Sequence, residues 1–148
     1  MTMKKLIPTA FFAVLAGVVT AGPVQANEVE KVVLWNKDTT MKVKASKKDL
    51  KAGLVTFAVT NSAISTSQHE MIVCKLTPSQ IADPNSLPYN EKTAKVYEDR
   101  IDDRGEVSEL NPGESGSLTV KLKPGTYMLF CNVAGHYRLG MYTIIHVI

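Results

Sequence analysis

The chain has 148 residues, of which 45% are hydrophobic, 21% charged and 7% aromatic, the balance of a globular protein rather than a disordered one. Its formal charge is +3, and Lys4 and Lys5 are the only charged residues among the first 26, which leaves 15 basic groups against 14 acidic ones from residue 27 on. That near-neutral remainder argues against a nucleic-acid binder, which needs a surplus of phosphate-neutralising side chains. Neither G-x-x-x-x-G-K-[ST] nor G-x-G-x-x-G is present to cradle a nucleotide.

The N-terminus reads as an address. A positive start through Lys5 leads into the apolar run Leu6 to Val19, Gly22 and Pro23 break it, and Val24-Gln25-Ala26 places small residues where a signal peptidase cuts. Leu6 to Ala21 is 16 residues interrupted by Pro8, short of the roughly 20 that a bilayer span requires. The first cysteine is Cys74, so no lipid anchor forms at the cleavage site. The expectation is a secretory signal peptide over 1–26 and a single domain over 27–148. The mature chain is expected to be periplasmic or otherwise exported, without stable membrane insertion.

The mature chain reads as strands. Val29 to Trp35 is β-branched, and Met41 to Ala45 alternates apolar with charged residues. Lys47 to Gly53 is a polar turn, and Leu54 to Thr60 is a strand that Asn61-Ser62 ends. After a Ser/Thr/Gln-rich loop, His69 to Leu76 is apolar on both faces, the mark of a central strand. Thr77 to Asp103, with Pro78, Pro84 and Pro88, departs from this pattern. It predicts an irregular or helical insertion, with a helix over Glu91 to Asp102 and a connection across one edge of the sandwich. Ser117 to Leu122, Thr126 to Cys131 and Met141 to Ile148 close the chain. Short strands, Gly/Pro turns and no βα alternation predict an all-β, Greek-key antiparallel sandwich.

The chemistry lies between the last two strands, in Cys131-x4-His136-x4-Met141. Soft sulfur donors with imidazole select copper, and two His, one Cys and a weak axial Met describe a blue-copper centre. Such a centre needs a second histidine, and His69, at the junction of loop and strand, is best placed. His146 is the rival, but it lies five residues beyond Met141, about 15 Å along an extended strand and too far to share one metal. Gly135 and Gly140 allow the loop to turn tightly. A Cys74–Cys131 disulfide is the alternative that an exported chain with two cysteines offers; it leaves the spacing of His136 and Met141 unexplained. Without it, Cys74 is a buried thiol that behaves as a small hydrophobe.

The stretch Pro124-Gly125-x-Tyr127-x3-Cys131-x4-His136-x4-Met141, with Gly140 just before the methionine, resembles the cupredoxins, the group of plastocyanin, azurin, rusticyanin and sulfocyanin. The four-and-four spacing is most similar to rusticyanin and sulfocyanin. Val59-Thr60-Asn61 followed by His69-Glu70 resembles the strand, loop and first ligand of the same group. The resemblance implies a cupredoxin-like sandwich, Cys131 as thiolate ligand, His69 and His136 as equatorial imidazoles and Met141 as axial thioether. It also implies that Tyr127 pins a corner through its hydroxyl. Glu70 stands where several members carry Asn or Ser.

Four protein ligands leave no coordination position for a substrate, so the site suits electron transfer and not turnover. The expectation is a monomeric, one-electron copper carrier that is no enzyme. Its redox partners are expected to dock on an apolar patch around His136 formed by Val133, Ala134, Tyr137 and Leu139. The alternative is a copper-delivery protein, which the absence of a Met cluster disfavours.

Overall fold

The computed structural model describes residues 27–148; the leader expected over 1–26 lies outside the described residues. The first strand, β1 (Glu28–Lys37), points Glu30, Val32, Leu34 and Asn36 inward and alternates them with more exposed residues, the period of two that a half-buried strand requires. It turns into β2 (Thr40–Ala45), passes the two-residue β3 (Asp49–Leu50) and continues as β4 (Gly53–Asn61). β5 (His69–Lys75) opens the second sheet. Then come a short helix α1 (Pro78–Ala82), the small hairpin β6 (Tyr89–Asn90) and β7 (Lys95–Val96), and a 3-10 turn at Glu98–Arg100. β8 (Asp102–Leu110), β9 (Ser115–Leu122), β10 (Gly125–Phe130) and β11 (Tyr142–Val147) complete the chain.

One sheet runs β2-β1-β4-β9 and the other β3-β11-β10-β5-β8. Their inner faces pack Val32, Leu34, Val55, Phe57 and Val59 against Met71, Val73, Leu129, Ile145 and Val147. This is the expected sandwich, but it is mixed rather than purely antiparallel, since β1 pairs parallel with β4 and β11 pairs parallel with β3. The hydroxyl of Tyr127 donates to the Lys123 carbonyl at 2.8 Å, the corner pin that the sequence resemblance implies.

The insertion departs from expectation in two ways. No helix covers Glu91 to Asp102: the segment turns at Ala94, whose φ is +54°, forms β7, and Asp102 already begins β8. The helix that does form is earlier, and it carries a start signal. Pro78 stands in its first turn, Thr77 Oγ1 accepts from Gln80 N, and the Gln80 side chain accepts from Thr77 N, a capping box. Nor does the segment merely cross an edge. Leu87 and Val96 lie in a second buried cluster with Ile72, Cys74, Met128, Phe130 and Tyr137, so the insertion covers the outer face of the second sheet. β5 is apolar on both faces because it is central between β10 and β8 and is covered on both sides.

Leu87 is only 3% exposed and ties the insertion to that face. Leu87→Ala should therefore lower the unfolding free energy by about 2–4 kcal/mol, the range for a buried leucine that leaves a cavity. Denaturant unfolding measures this; a loss below about 1 kcal/mol would mean that the insertion is not anchored there.

Candidate metal centre

Three strand ends converge at one end of the sandwich. β10 and β11 are antiparallel with Phe130 opposite Tyr142, so their next residues, Cys131 and Met141, close the base of the loop. Cys131 N donates to Met141 O at 3.1 Å, and Met141 N donates to His136 O at 3.1 Å. Gly135 and Gly140 both have positive φ, +83° and +80°, a region that a side chain disfavours. The third strand is β5, which His69 opens. Buried Asn61 anchors the loop before it by donating to Ser67 O at 2.9 Å and to Leu110 O at 2.8 Å.

His69, Cys131 and His136 are all buried, and their donor atoms lie within 4.8 Å of one another. His69 Nδ1 is 3.3 Å from His136 Nδ1 and 3.9 Å from Cys131 Sγ, and His136 Nδ1 is 3.4 Å from the same sulfur. The point equidistant from these three atoms lies about 2.1 Å from each, the circumradius of that triangle, within the roughly 2.0–2.3 Å that zinc keeps from nitrogen and sulfur. The triangle is the right size for a first-row metal, and two imidazoles with a thiol are the donors that suit copper.

The protonation pattern supports the same reading. His69 Nε2 is 3.0 Å from Asn36 Oδ1, and Oδ1 also accepts from Thr66 N at 3.1 Å while Asn36 Nδ2 donates to Thr66 Oγ1 at 2.7 Å. A carboxamide oxygen only accepts, so Nε2 carries the proton and Nδ1 turns a lone pair toward the triangle. Burial, and secondarily the neighbouring His136, lower the His69 pKa to about 4, and burial lowers that of His136. Burial pushes the Cys131 thiol up to about 12. The metal-free site thus holds two neutral imidazoles and a neutral thiol, three donor atoms gathered in a buried space. A cation bound there would displace the thiol proton.

Met141 is fully buried in the cluster that also holds Cys131. Cys74 and Cys131 are both free, and Cys74 packs in the outer cluster, so the disulfide alternative does not form. His146 is exposed, with Nδ1 beside Thr126 Oγ1 at 3.3 Å; it takes no part.

The insertion grips the residue that follows each donor of the loop. Asn132 Oδ1 accepts from Val96 N at 2.6 Å, and Asn132 Nδ2 donates to Val96 O at 3.1 Å and to Glu98 Oε1 at 2.7 Å. The Tyr137 hydroxyl donates to Pro84 O at 2.6 Å and accepts from Leu87 N at 3.2 Å, and Gly135 N donates to Ala94 O at 2.7 Å. Tyr137 is therefore buried and leaves the expected apolar patch. Leu139 remains 57% exposed, Ala134 is exposed, Val133 is half-buried and His136 is 7% exposed.

No protein family and no curated relative matches the chain by sequence. Among solved structures it is similar to the dithionite-reduced auracyanin of Roseiflexus castenholzii, at 21% identity over 83% of this chain and 98% of that one, with a TM-score of 0.57. Auracyanin A of Chloroflexus aurantiacus, described as a "blue" copper protein, is 24% identical over 83% and 100%, TM-score 0.57. Rusticyanin of Thiobacillus ferrooxidans is 19% identical over 83% and 79%, TM-score 0.53. The chain has the cupredoxin fold. The cupredoxin neighbours include rusticyanin, the relative that the loop spacing resembles.

Sequence reasoning missed Asn36 and Asn132. Asn36 had a signal, since it is the one amide on the inward stripe Val32, Leu34, Asn36. Asn132 had none, because its partners are on an insertion whose position the sequence does not reveal. Glu70 is a further finding. Its N–H donates to Cys131 Sγ at 3.5 Å, while its carboxyl is 4% exposed with Oε1 unpartnered. Burial raises its pKa from 4.5 to about 7. A raised carboxyl pKa favours the native state below pH 4.5 and loses that advantage as pH rises to about 7. Glu70→Gln should stabilise the metal-free protein by about 3 kcal/mol more at pH 8 than at pH 4. Urea melts at the two pH values check this; equal effects at both would show a solvated carboxylate.

Proposed function

We propose that this chain is an exported type 1 blue-copper protein that carries single electrons, in which His69, Cys131, His136 and Met141 would hold the copper. The observation that carries the reading is the buried triangle of two imidazole nitrogens and one sulfur, sized for a metal and held from behind by Asn36. Copper supplies the one-electron chemistry by alternating between Cu(I) and Cu(II). The protein's part is to keep its donors where they are. β5, β10 and β11 fix the positions of His69, Cys131 and Met141, and the insertion grips Asn132 and Tyr137 beside the two loop donors. Donors that do not move between charge states keep reorganisation small, and their burial excludes water.

Delivery of the metal to another protein is the weaker reading, because His69 and Cys131 are wholly buried and His136 nearly so. No helix among the described residues is long and apolar enough to cross a membrane. On this reading the chain is cleaved after Ala26 and released into the periplasm as a monomer. Partners meet the protein where His136 reaches the surface, beside exposed Leu139 and Ala134. A small apolar contact suits brief encounters, which fall at the low end of interface sizes.

Copper-loaded protein should be intensely blue through thiolate-to-copper charge transfer near roughly 600 nm, and Cys131→Ser should abolish that band while Cys74→Ala leaves it. Met141→Gln should retain copper but lower the potential, because an oxygen donor favours Cu(II). Colour surviving in Cys131→Ser, or a potential unchanged in Met141→Gln, sinks the corresponding ligand. Leu139→Asp should slow electron exchange with the physiological partner at an unchanged spectrum; a wild-type rate would place the exchange elsewhere.

A further inference from the structure

The near-neutral total charge of residues 27–148 conceals a separation. Residues 37–51 carry six lysines against Asp38 and Asp49, whereas residues 98–114 carry seven carboxylates against Arg100 and Arg104. The sheet orders place β2 and β3 on one flank and β8 and β9 on the other, so the basic and acidic stretches lie on opposite sides of the sandwich. The basic flank is also concave. Where β2 passes β11, Trp35, Lys42, Val43, Lys44, Lys48 and Thr143 line most of a cleft of 470 Å³. The Lys42 ammonium stands 5.9 Å from the centre of the half-exposed Trp35 ring, and Lys48 Nζ bridges to Thr143 Oγ1 and Ile144 O at the wall.

We infer that this cleft docks the acidic face of a partner protein. Charged side chains on an edge strand are ordinarily a guard against edge-to-edge pairing, and that would account for Lys42 and Lys44. It does not account for an indole left half-open beside them, nor for Lys48, which joins them from the turn between β2 and β3. Tryptophan and cationic side chains around a concavity form a contact site with an apolar anchor and a charged rim. The partner is acidic because the cleft presents cations, and the opposite flank repels a wrongly turned acidic partner, so the charge separation orients the approach. A protruding acidic side chain of a folded partner matches the cleft in size and charge. The position has a consequence for the metal centre: Trp35 precedes Asn36, whose side chain accepts from His69, so a docked partner stands one residue from the frame that orients that imidazole.

Trp35 is the one tryptophan of the chain, so its fluorescence reports on the cleft in the metal-free protein, whether or not the copper reading holds. Titration with an oligoglutamate peptide at low salt should change that fluorescence saturably, and the change should vanish near 1 M salt, where the screening length is only about 3 Å. Lys42→Glu combined with Lys44→Glu should weaken the response about tenfold or more, while Lys92→Glu on the insertion leaves it unchanged. Both lysines are exposed, so melting curves of the double variant should match the wild type. Absence of a fluorescence change, or a response undiminished in the double variant, overturns the inference. A response to phosphatidylserine vesicles but not to the peptide overturns it in favour of lipid. Salt-sensitive dimerisation in sedimentation, lost in the double variant without any peptide, overturns it in favour of a second copy.

Discussion

The hydrogen bond from His69 Nε2 to Asn36 Oδ1 is the constraint on which the rest of the site depends. It selects one tautomer, and that tautomer turns a lone pair on Nδ1 toward two other donors. Were Nε2 unpartnered, the proton could sit on Nδ1, and the same three side chains would form an ordinary buried hydrogen-bond cluster that does not need a cation. The bond is secure because Asn36 cannot flip: Thr66 N donates to its oxygen and its amide donates to Thr66 Oγ1. The backbone amide of Thr66, three residues before His69 and touching none of the donors, thus helps decide the chemistry at Nδ1.

The same logic of support from behind runs through the loop. Asn132 and Tyr137 belong to the donor loop, but their side chains are spent on the insertion rather than on the metal centre. The insertion in turn stays in place because Leu87 and Val96 bury against the outer face of the second sheet. Two cores therefore hold one site. The inner core positions His69, Cys131 and Met141 through β5, β10 and β11, and the outer core fixes the residues that stand between the loop donors.

What could be read in the sequence was what depends on short-range pattern. Alternation located the long strands, and Cys131-x4-His136-x4-Met141 located the loop, because three of the four candidate donors are close in the chain. His69 could be inferred because a donor was missing and few histidines were available. The outer layer was not legible. Glu91 to Asp102 reads as a helix, yet Ala94 turns with positive φ and Asn132 captures Val96, a contact made 36 residues apart. Nor could the pattern show that Tyr137 would be drawn under the insertion. The parallel pairing of β11 with β3 was equally hidden, since β3 is two residues long and reads as part of a polar turn.

That pairing bears on how the pocket holds together. β11 is the last strand of the chain, yet it lies inside its sheet, between β3 and β10. Until it inserts, β3 and β10 have no common neighbour, the second sheet is split, and the loop from Cys131 to Met141 has only one of its two strand supports. The donors are therefore held together only while β11 is seated, through contacts that join residues 49–50 to residues 146–147. Loss of β11 from its place between β3 and β10 would release the loop donors together, so the integrity of the pocket rests on a strand that contributes no donor of its own.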